Sequence, residues 1–526
     1  MNHSKTKIAP ILTIAAIALL ACLGTFALPS QASAQGPSQP NQTQHAQATP
    51  LPLSGRAGNS GSVTAIEAPI AGTTNSVTTI NPSVQVQGPY AGSSSSTAKL
   101  PFTGMLSLRD AIERGLNFNL GAVGLNHAVR QAQGQNEIAR SALLPNVSGY
   151  LAENLAQTNL AAEGLRIHLP IPGFTFPTIV GPYNNIDLRG SVSQSVLDLT
   201  AWNNFRASNE EVHAAQLSAR DARDAVVLAV CGTYLQIIAT RERVASAHAQ
   251  LDTATALFQQ TQQKRAVGLV AQIDVDRSEV EQLTQQQRVI SLETELSKQK
   301  IALARITGLP PSDAYDLTDE VPFAAAPSLT LDDAIHQALD RRSDIKAAEA
   351  QVRAAQRALS AARDERLPSL SVNGNYGSIG TNPAQASATF SAAATLSIPI
   401  WQGGRTEGDI KAAQATLAQR QSELEDLKGQ VESDVRNAFL DLEAATNQVK
   451  LAQRNLQVNK ETLDLTRQRF DAGVTDNVEV VQAQESLTSA DLDSINSVFA
   501  HNLAKFSLAR ATALAADNLQ QFLSLQ

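Results

Sequence analysis

The sequence predicts a mainly α-helical protein that carries a membrane β-barrel. It is built from one unit given twice: helix, two strands, long helix and returning helix. Three observations predict this. The chain repeats itself after residue 105, it holds four runs with period-two alternation, and residues 201–264 contain no Pro and only Gly232.

An internal repeat decides the architecture, so it is read first. Leu106-Ser107-Leu108-Arg109-Asp110-Ala111-Ile112 is answered 223 residues later by Leu329-Thr330-Leu331-Asp332-Asp333-Ala334-Ile335. The same offset pairs Leu144-Pro145 with Leu367-Pro368. Further on the offset becomes 205, pairing Tyr234 with Phe439, Gly268 with Gly473 and Arg305 with Arg510. The drop places a longer insert in the first copy, around residues 156–184. The first copy is residues 106–308 and the second 329–526, with an equatorial linker at 309–328.

Each copy opens with a short helix (108–116; 331–339). A longer helix follows and ends before Pro145 or Pro368, because proline disfavours the helical conformation of the residue preceding it. Two strands come next, at about 146–152 and 185–197 in the first copy and 369–376 and 388–400 in the second. Ile186, Leu188, Val192 and Val196 alternate with Asp187, Arg189, Ser191, Ser193 and Ser195. Phe390, Leu396, Ile398 and Ile400 alternate with Thr389, Ser391, Thr395 and Ser397. Runs that are apolar on one face and small or polar on the other have the pattern of transmembrane barrel strands. A soluble sandwich with one wet face would alternate in the same way. On the membrane reading, Val192, Val196, Phe390, Leu396 and Ile398 face lipid. A closed membrane barrel needs at least about eight strands, so four per chain require several chains.

A helix over 201–264 would be about 96 Å long, whereas the return leg 271–306 reaches only about 54 Å. Stacking helix 120–143 end to end on that leg brings it to about 90 Å. Each chain would then supply four columns of similar length. Fibrous coiled coils also use such helices, but they need no strands between them.

Lys5 and Lys7 precede an apolar run over 8–28, and Ala32-Ser33-Ala34 follows. This order reads as a secretory signal over 1–34, cut after Ala34. An uncleaved anchor, or lipidation at Cys22 within Leu19-Leu20-Ala21-Cys22, stays open. No later apolar stretch is expected to span a bilayer as a helix. Residues 35–105, rich in Ser, Gly, Pro, Gln and Thr, are expected to form a flexible low-complexity extension, to which 77–86 could add a short strand.

Composition argues against several function classes. The formal net charge is -8, which disfavours nucleic acid as a partner. Two cysteines allow no disulfide framework, and Cys231 in the apolar run 226–230 reads as a buried helix residue. There is no dinucleotide fingerprint, phosphate loop, His-x-x-x-His pair or nucleophile elbow. The expectation is a protein without catalytic residues, cofactor or metal site. Asp274, Asp276, Glu279 and Glu281 read as a solvated helix face.

The order of elements, given twice, resembles the TolC-type outer-membrane efflux proteins over roughly residues 106–513. The most specific local match is Val267-Gly268-Leu269-Val270-Ala271 followed by Asp274-Val275; Ala472-Gly473-Val474-Thr475 with Glu479-Val480 is looser. The junction Leu396-Ser397-Ile398-Pro399-Ile400-Trp401-Gln402-Gly403-Gly404 is also family-like. The resemblance implies a homotrimer, with a twelve-stranded β-barrel in the outer membrane continuing into a twelve-helix periplasmic α-barrel. It implies a passive exit duct of a tripartite efflux or secretion system. Its partners would be a periplasmic adaptor (membrane fusion protein), which the tips Val267, Gly268, Leu269, Val270, Ala472, Gly473 and Val474 contact, and an inner-membrane pump. Asp274 and Glu479 would be entrance acids, although Gln482 stands where the family pattern places a second acid. The competing readings are a secreted structural coiled-coil protein and the periplasmic adaptor itself, which would carry one hairpin rather than a duplicated unit.

Overall fold

A computed structural model describes residues 62–70, 79–94, 104–162, 164, 177–312, 314–319, 323, 329–475 and 477–513. The signal sequence expected over 1–34, with Cys22, lies outside the described residues. In chain order the elements are β1 (Val63–Ile70), β2 (Thr79–Val86), β3 (Met105–Leu106), α1 (Leu108–Phe118), α2 (Leu120–Ser141), β4 (Asn146–Asn159) and β5 (Ile179–Leu197). They continue with α3 (Leu199–Ala266), α4 (Gln272–Thr307), β6 (Asp316–Leu317), α5 (Leu331–Arg341), α6 (Ser343–Asp364), β7 (Ser369–Gly380), β8 (Ser387–Ser397), α7 (Arg405–Asp471) and α8 (Asn477–Ala511).

The duplication is visible in the first turn of each copy. Ser107 Oγ accepts from the Asp110 N–H at 3.1 Å and donates to its carboxylate at 2.7 Å. Thr330 does the same with Asp333, at 3.2 and 2.6 Å. Both caps satisfy orphan N–H groups of the opening helix and place an acid at its positive end.

The long helices run further than the sequence predicts: α3 has 68 residues and α7 has 67. At 1.5 Å per residue each is about 100 Å long. The spliced columns form where one helix ends on another. Asn119 is fully buried at the joint between α2 and α4. Its Oδ1 accepts from the Gly121 N–H at 2.9 Å, capping α2, while Nδ2 donates to Tyr90 O at 2.7 Å and to Ile306 O, in the last turn of α4, at 3.4 Å. At the matching place in the second copy stands Arg342, paired with Asp344 at 2.6 Å and Asp434 at 3.5 Å. Burial works to raise the Asp344 carboxyl, yet the hydrogen bond and charge of Arg342 hold it below the usual carboxylate range.

Four columns share one lateral order at three levels. The four long strands form one antiparallel sheet in the order β4-β5-β7-β8. Beside it, α2 packs on α3, α3 on α6 and α6 on α7; further along, α4 packs on α3, α3 on α8 and α8 on α7. Where the levels meet lies the largest apolar core. It draws on Val226, Val230, Tyr234 and Ile237 of α3, on Leu303 and Ile306 of α4, and on Phe499, Leu503 and Phe506 of α8. Tyr234 Oη lies 2.8 Å from an Asp319 carboxylate oxygen that also accepts the Leu108 N–H at 2.6 Å.

Residues 35–105 are not wholly a flexible extension. β1 and β2 pair as an antiparallel hairpin, and Val63, Val84, Val86 and Tyr90 pack on that core. Gly232 explains how: a Cβ there would lie 2.4 Å from Val84 Cγ2, so the one glycine of α3 admits the hairpin. Only this docking buries enough apolar surface to order so polar a segment. The linker after residue 308 is likewise tied down, since β6 pairs in parallel with β3. The strand limits also differ. β4 and β5 run on to Asn159 and from Ile179, so much of the insert is a longer hairpin. β7 runs on to Gly380, and β8 stops at Ser397, two residues before Pro399, which has no N–H to donate. Finally, α3 does contain an 18-residue window apolar enough to cross a bilayer, but 83% of it is buried in the protein, as the core helix of a soluble region would be. Cys231 lies within α3, and burial pushes its thiol pKa up.

Asn119→Ala is expected to lower the stability of the folded chain by about 1–3 kcal/mol, because it strands buried partners and removes a cap. Denaturant titration followed by helical circular dichroism checks this; an unchanged midpoint would mean that the splice does not depend on Asn119.

Candidate functional site

The sheet has one apolar and one polar face, and its register shows which residues share each. Val147 stands opposite Val192, Leu151 opposite Leu188, Tyr376 opposite Phe390 and Leu370 opposite Leu396. Val147, Leu151, Leu188, Val192, Tyr376, Phe390 and Leu396 are all exposed in the single chain, Phe390 at 79%. Val196 is exposed too, at a bulge between Ser195 and Leu197. Ile398 is exposed but lies past the end of β8, so strand alternation does not place it on either face. On the opposite face one polar row crosses all four strands: Ser148, Ser191, Asn375 and Ser391. Ser148 and Ser191 bond at 2.7 Å, and Asn375 Nδ2 donates to Ser391 Oγ at 2.7 Å. Trp202 and Trp401 are exposed at the strand-to-helix junctions that follow β5 and β8.

At the other end of the columns each long helix closes in the same way. Gly268 adopts φ +78° and Gly473 φ +71°, in the left-handed region that glycine alone enters freely. The Gly268 N–H donates to Arg265 O and the Leu269 N–H to Lys264 O; Gly473 and Val474 repeat this on Phe470 O and Arg469 O. These are paired Schellman closures, which satisfy the last carbonyls and hold the next residue out from the helix end. Val267, Leu269 and Val474 are thereby 70%, 73% and 68% exposed. Val270 is half-buried and Ala472 exposed.

The two acids are placed differently from each other. Asp274 Oδ2 accepts the Ala271 N–H at 3.3 Å and Oδ1 lies 3.8 Å from Arg277, so it caps α4. Glu479 is exposed and pairs with Arg469 at 3.3 Å. Neither arginine stands out in the sequence, and neither does the contact that joins the two helix ends, where Lys264 Nζ lies 3.9 Å over the Phe470 ring and 3.6 Å from Asp471. The offset of 205 matches Lys264 to Arg469, which marks a shared cation but not its partner. Glu281, expected on a solvated face, is buried and accepts from Gln285 Nε2 at 2.8 Å. Among the described residues no group of acids, histidines and cysteines could hold a metal ion.

A face of bare apolar side chains, a polar face behind it and two equivalent helix tips describe a wall rather than a pocket. The sequence model of the family described as "Outer membrane efflux protein" matches residues 119–309 and 334–513, most of the chain. The chain belongs to that family. Among its relatives, the pyoverdine export outer membrane protein OpmQ of Pseudomonas putida is 25% identical over 375 residues, covering 69% of this chain and 76% of OpmQ. Outer membrane protein OprJ of Pseudomonas aeruginosa is 27% identical over 344 residues, covering 63% of this chain and 68% of OprJ. The solved CmeC outer membrane channel of Campylobacter jejuni superposes with a TM-score of 0.68 at 16% identity, over 89% of this chain and 99% of CmeC. This outer membrane efflux protein is therefore a transport component of the cell outer membrane that extends into the periplasm.

A charge on the apolar face of the efflux protein's sheet, as in Val192→Arg, should cost about 2–4 kcal/mol at mid-bilayer, whereas Ser191→Arg on the polar face should be tolerated. Folding into lipid vesicles, followed by urea titration, separates the two. Equal losses would mean that both faces are packed.

Proposed function

We propose that three copies of the chain close a twelve-stranded barrel and a twelve-helix tunnel, forming the passive exit duct of a tripartite efflux or secretion system. The observation that supports it best is the shared lateral order. The sheet ends on β4 and β8, the helical layer ends on α4 and α7, and the two open sides of the sheet lie over the two open sides of the helices. An open strand edge in hydrocarbon leaves N–H and C=O groups unsatisfied, each at a cost of several kcal/mol (about 4–8 on alkane transfer scales). Joining β8 of one copy to β4 of the next satisfies both edges and closes a ring. The same rotation brings α7 of one copy to α4 of the next. Both carry exposed apolar residues at seam spacing: Val280, Leu283 and Ile290 on α4, and Leu451, Val458 and Leu465 on α7. Spacings of three and seven residues are those of a coiled-coil seam.

In this assembly Val192, Val196, Phe390, Leu396 and Ile398 meet outer-membrane lipid. The tips Val267, Gly268, Leu269, Val270, Ala472, Gly473 and Val474 form the contact with a periplasmic adaptor of an inner-membrane pump. Exposed apolar side chains grouped at a helix end suit a partner surface. Asp274 and Glu479 stand near the periplasmic entrance. With Arg277 and Arg469 beside them, they form a partly neutralised ring, weaker than a double row of acids would be.

Mass measurement of the detergent-solubilised protein should give three chains, and planar bilayers should show ionic conductance. A stable monomer would overturn the duct reading. Leu451→Asp with Ile290→Asp should shift the mass toward monomer. By contrast, Leu269→Asp and Val474→Asp should abolish export from cells while three chains still assemble; export that survives both changes would make the tips mere turns.

A further inference from the structure

On the polar face of the sheet, two charges occupy neighbouring rows of β5. Asp187 and Arg189 lie in a stretch of unbroken register from Ile186 to Ser195, on the side of Ser191 and Ser193 and opposite that of Leu188 and Val192. Arg189 Nε donates to Asp187 Oδ1 at 2.6 Å and Nη2 to Oδ2. Both carboxylate oxygens are thus engaged by one guanidinium, the two-pronged geometry that fixes an arginine best. The pair is unequal in its access to solvent: the Asp187 side chain is 9% exposed and that of Arg189 35%.

The neighbours explain the asymmetry. Arg189 is paired with Tyr150 on one side and Gly377 on the other. A Cβ on Gly377 would stand 2.2 Å from Leu188 O and 2.4 Å from Arg189 Cγ, so glycine admits both the close approach of the β5 backbone and the stem of the arginine beside it. Asp187, one row further, is flanked by Ala152 and Ile379. The acid is thus the covered member of the pair and the guanidinium the more exposed one. At the same depth the other face carries Leu151 and Leu188, both exposed.

We propose that Arg189, held by Asp187, is a specificity-determining contact inside the barrel: a ring of three guanidinium groups that engages carboxylate or phosphate groups on passing solutes. It rests on the trimeric duct reading, which turns this face to the lumen. Rings of fixed charge set the preference of a pore by the sign they present, and here the acid is hidden and the cation shown. The Arg189–Asp187 pair is neutral overall, so the ring acts at contact range, on anionic groups that reach the free edge of the guanidinium. Gly377 and Tyr150 are the positioning residues, one giving room and the other walling the side.

The test is planar-bilayer recording of the full-length protein in a potassium chloride gradient, with inorganic tripolyphosphate as the blocking probe. Wild type should show transient block by tripolyphosphate. Asp187→Asn should shift the permeability ratio toward anions and deepen the block. Arg189→Gln should shift the ratio toward cations and lose the block. If one single variant does not assemble, the double variant decides, because it leaves no uncompensated charge and should lose the block while conducting. Conducting wild-type channels that are not blocked, or a double variant blocked like wild type, would overturn the ring and leave the duct standing. A wild-type protein that never conducts would overturn both.

Discussion

Hydrocarbon offers no hydrogen bonds, and a strand edge placed there must find another strand. In the duct we propose, this constraint governs the molecule more than any side chain does. Each copy of the repeat supplies one hairpin, and two hairpins in one chain make a sheet that still has two edges, β4 and β8. Closure by more copies of the same sheet requires a repeating rotation, and whatever continues from the strands must obey it. The helices do so: α2 leads into β4, β5 into α3, α6 into β7 and β8 into α7, so the strand order dictates the helix order directly beneath it. The strand-to-helix turns are correspondingly tight. Gly403 and Gly404 both have positive φ before α7, and Asp198 caps α3 through the Ala201 N–H at 2.8 Å.

The second constraint is length. A wall of four columns needs four columns of equal reach, but each copy supplies only one unbroken helix of about 100 Å. The shorter columns are made by splicing, and a splice exposes the ends of two helices to each other. In the first copy a neutral amide serves both ends at once, since Asn119 caps α2 and bonds the end of α4. In the second copy the place falls to a buried ion pair, Arg342 with Asp344. The cores around the two joints diverge in step. The first is rich in valine, isoleucine and aromatics and admits the N-terminal hairpin, whereas the second is largely alanine, with Ala334, Ala338, Ala438 and Ala445. Duplication fixed the geometry of the columns and left the chemistry of their joints free to differ.

Features set by local or periodic rules were legible in the sequence. The caps at Ser107 and Thr330, the glycines at both tips and the faces of the strands all follow from residue type and spacing, and the structure has each of them. Features set by a distant partner were not legible. Of the hairpin of residues 63–86 only the second strand was expected, within 77–86; its pairing with β1 and its docking left no sign but a lone glycine, Gly232, in a helix that otherwise avoids the residue. The extension of β4 and β5 past the alternating core was hidden because Pro182, Asn184 and Asn185 break the pattern, although the strand tolerates them. Ile398 shows the converse: alternation continued on paper past the point where Pro399 ends the pairing. Phe470 was not legible because its partner Lys264 lies on α3, far off in sequence, whereas Arg469 meets Glu479 only ten residues on and residue type alone did not single it out.

The chemistry of the proposed duct is that of a wall rather than of a pocket. It resides in faces, and a face gains meaning only when it is repeated around an axis. An ion pair such as Arg189 with Asp187 would be a poor investment of desolvation energy inside a packed sandwich. In the proposed duct its face meets the lumen, where the partly exposed Arg189 keeps some of its hydration and the covered Asp187 has the guanidinium in place of water. The same reasoning applies at the other end, where apolar side chains held out by Schellman closures face water on every side unless a partner covers them. The assembly we propose accommodates both, because it supplies a wet lumen for the charges of the sheet at one end and a partner for the apolar tips at the other.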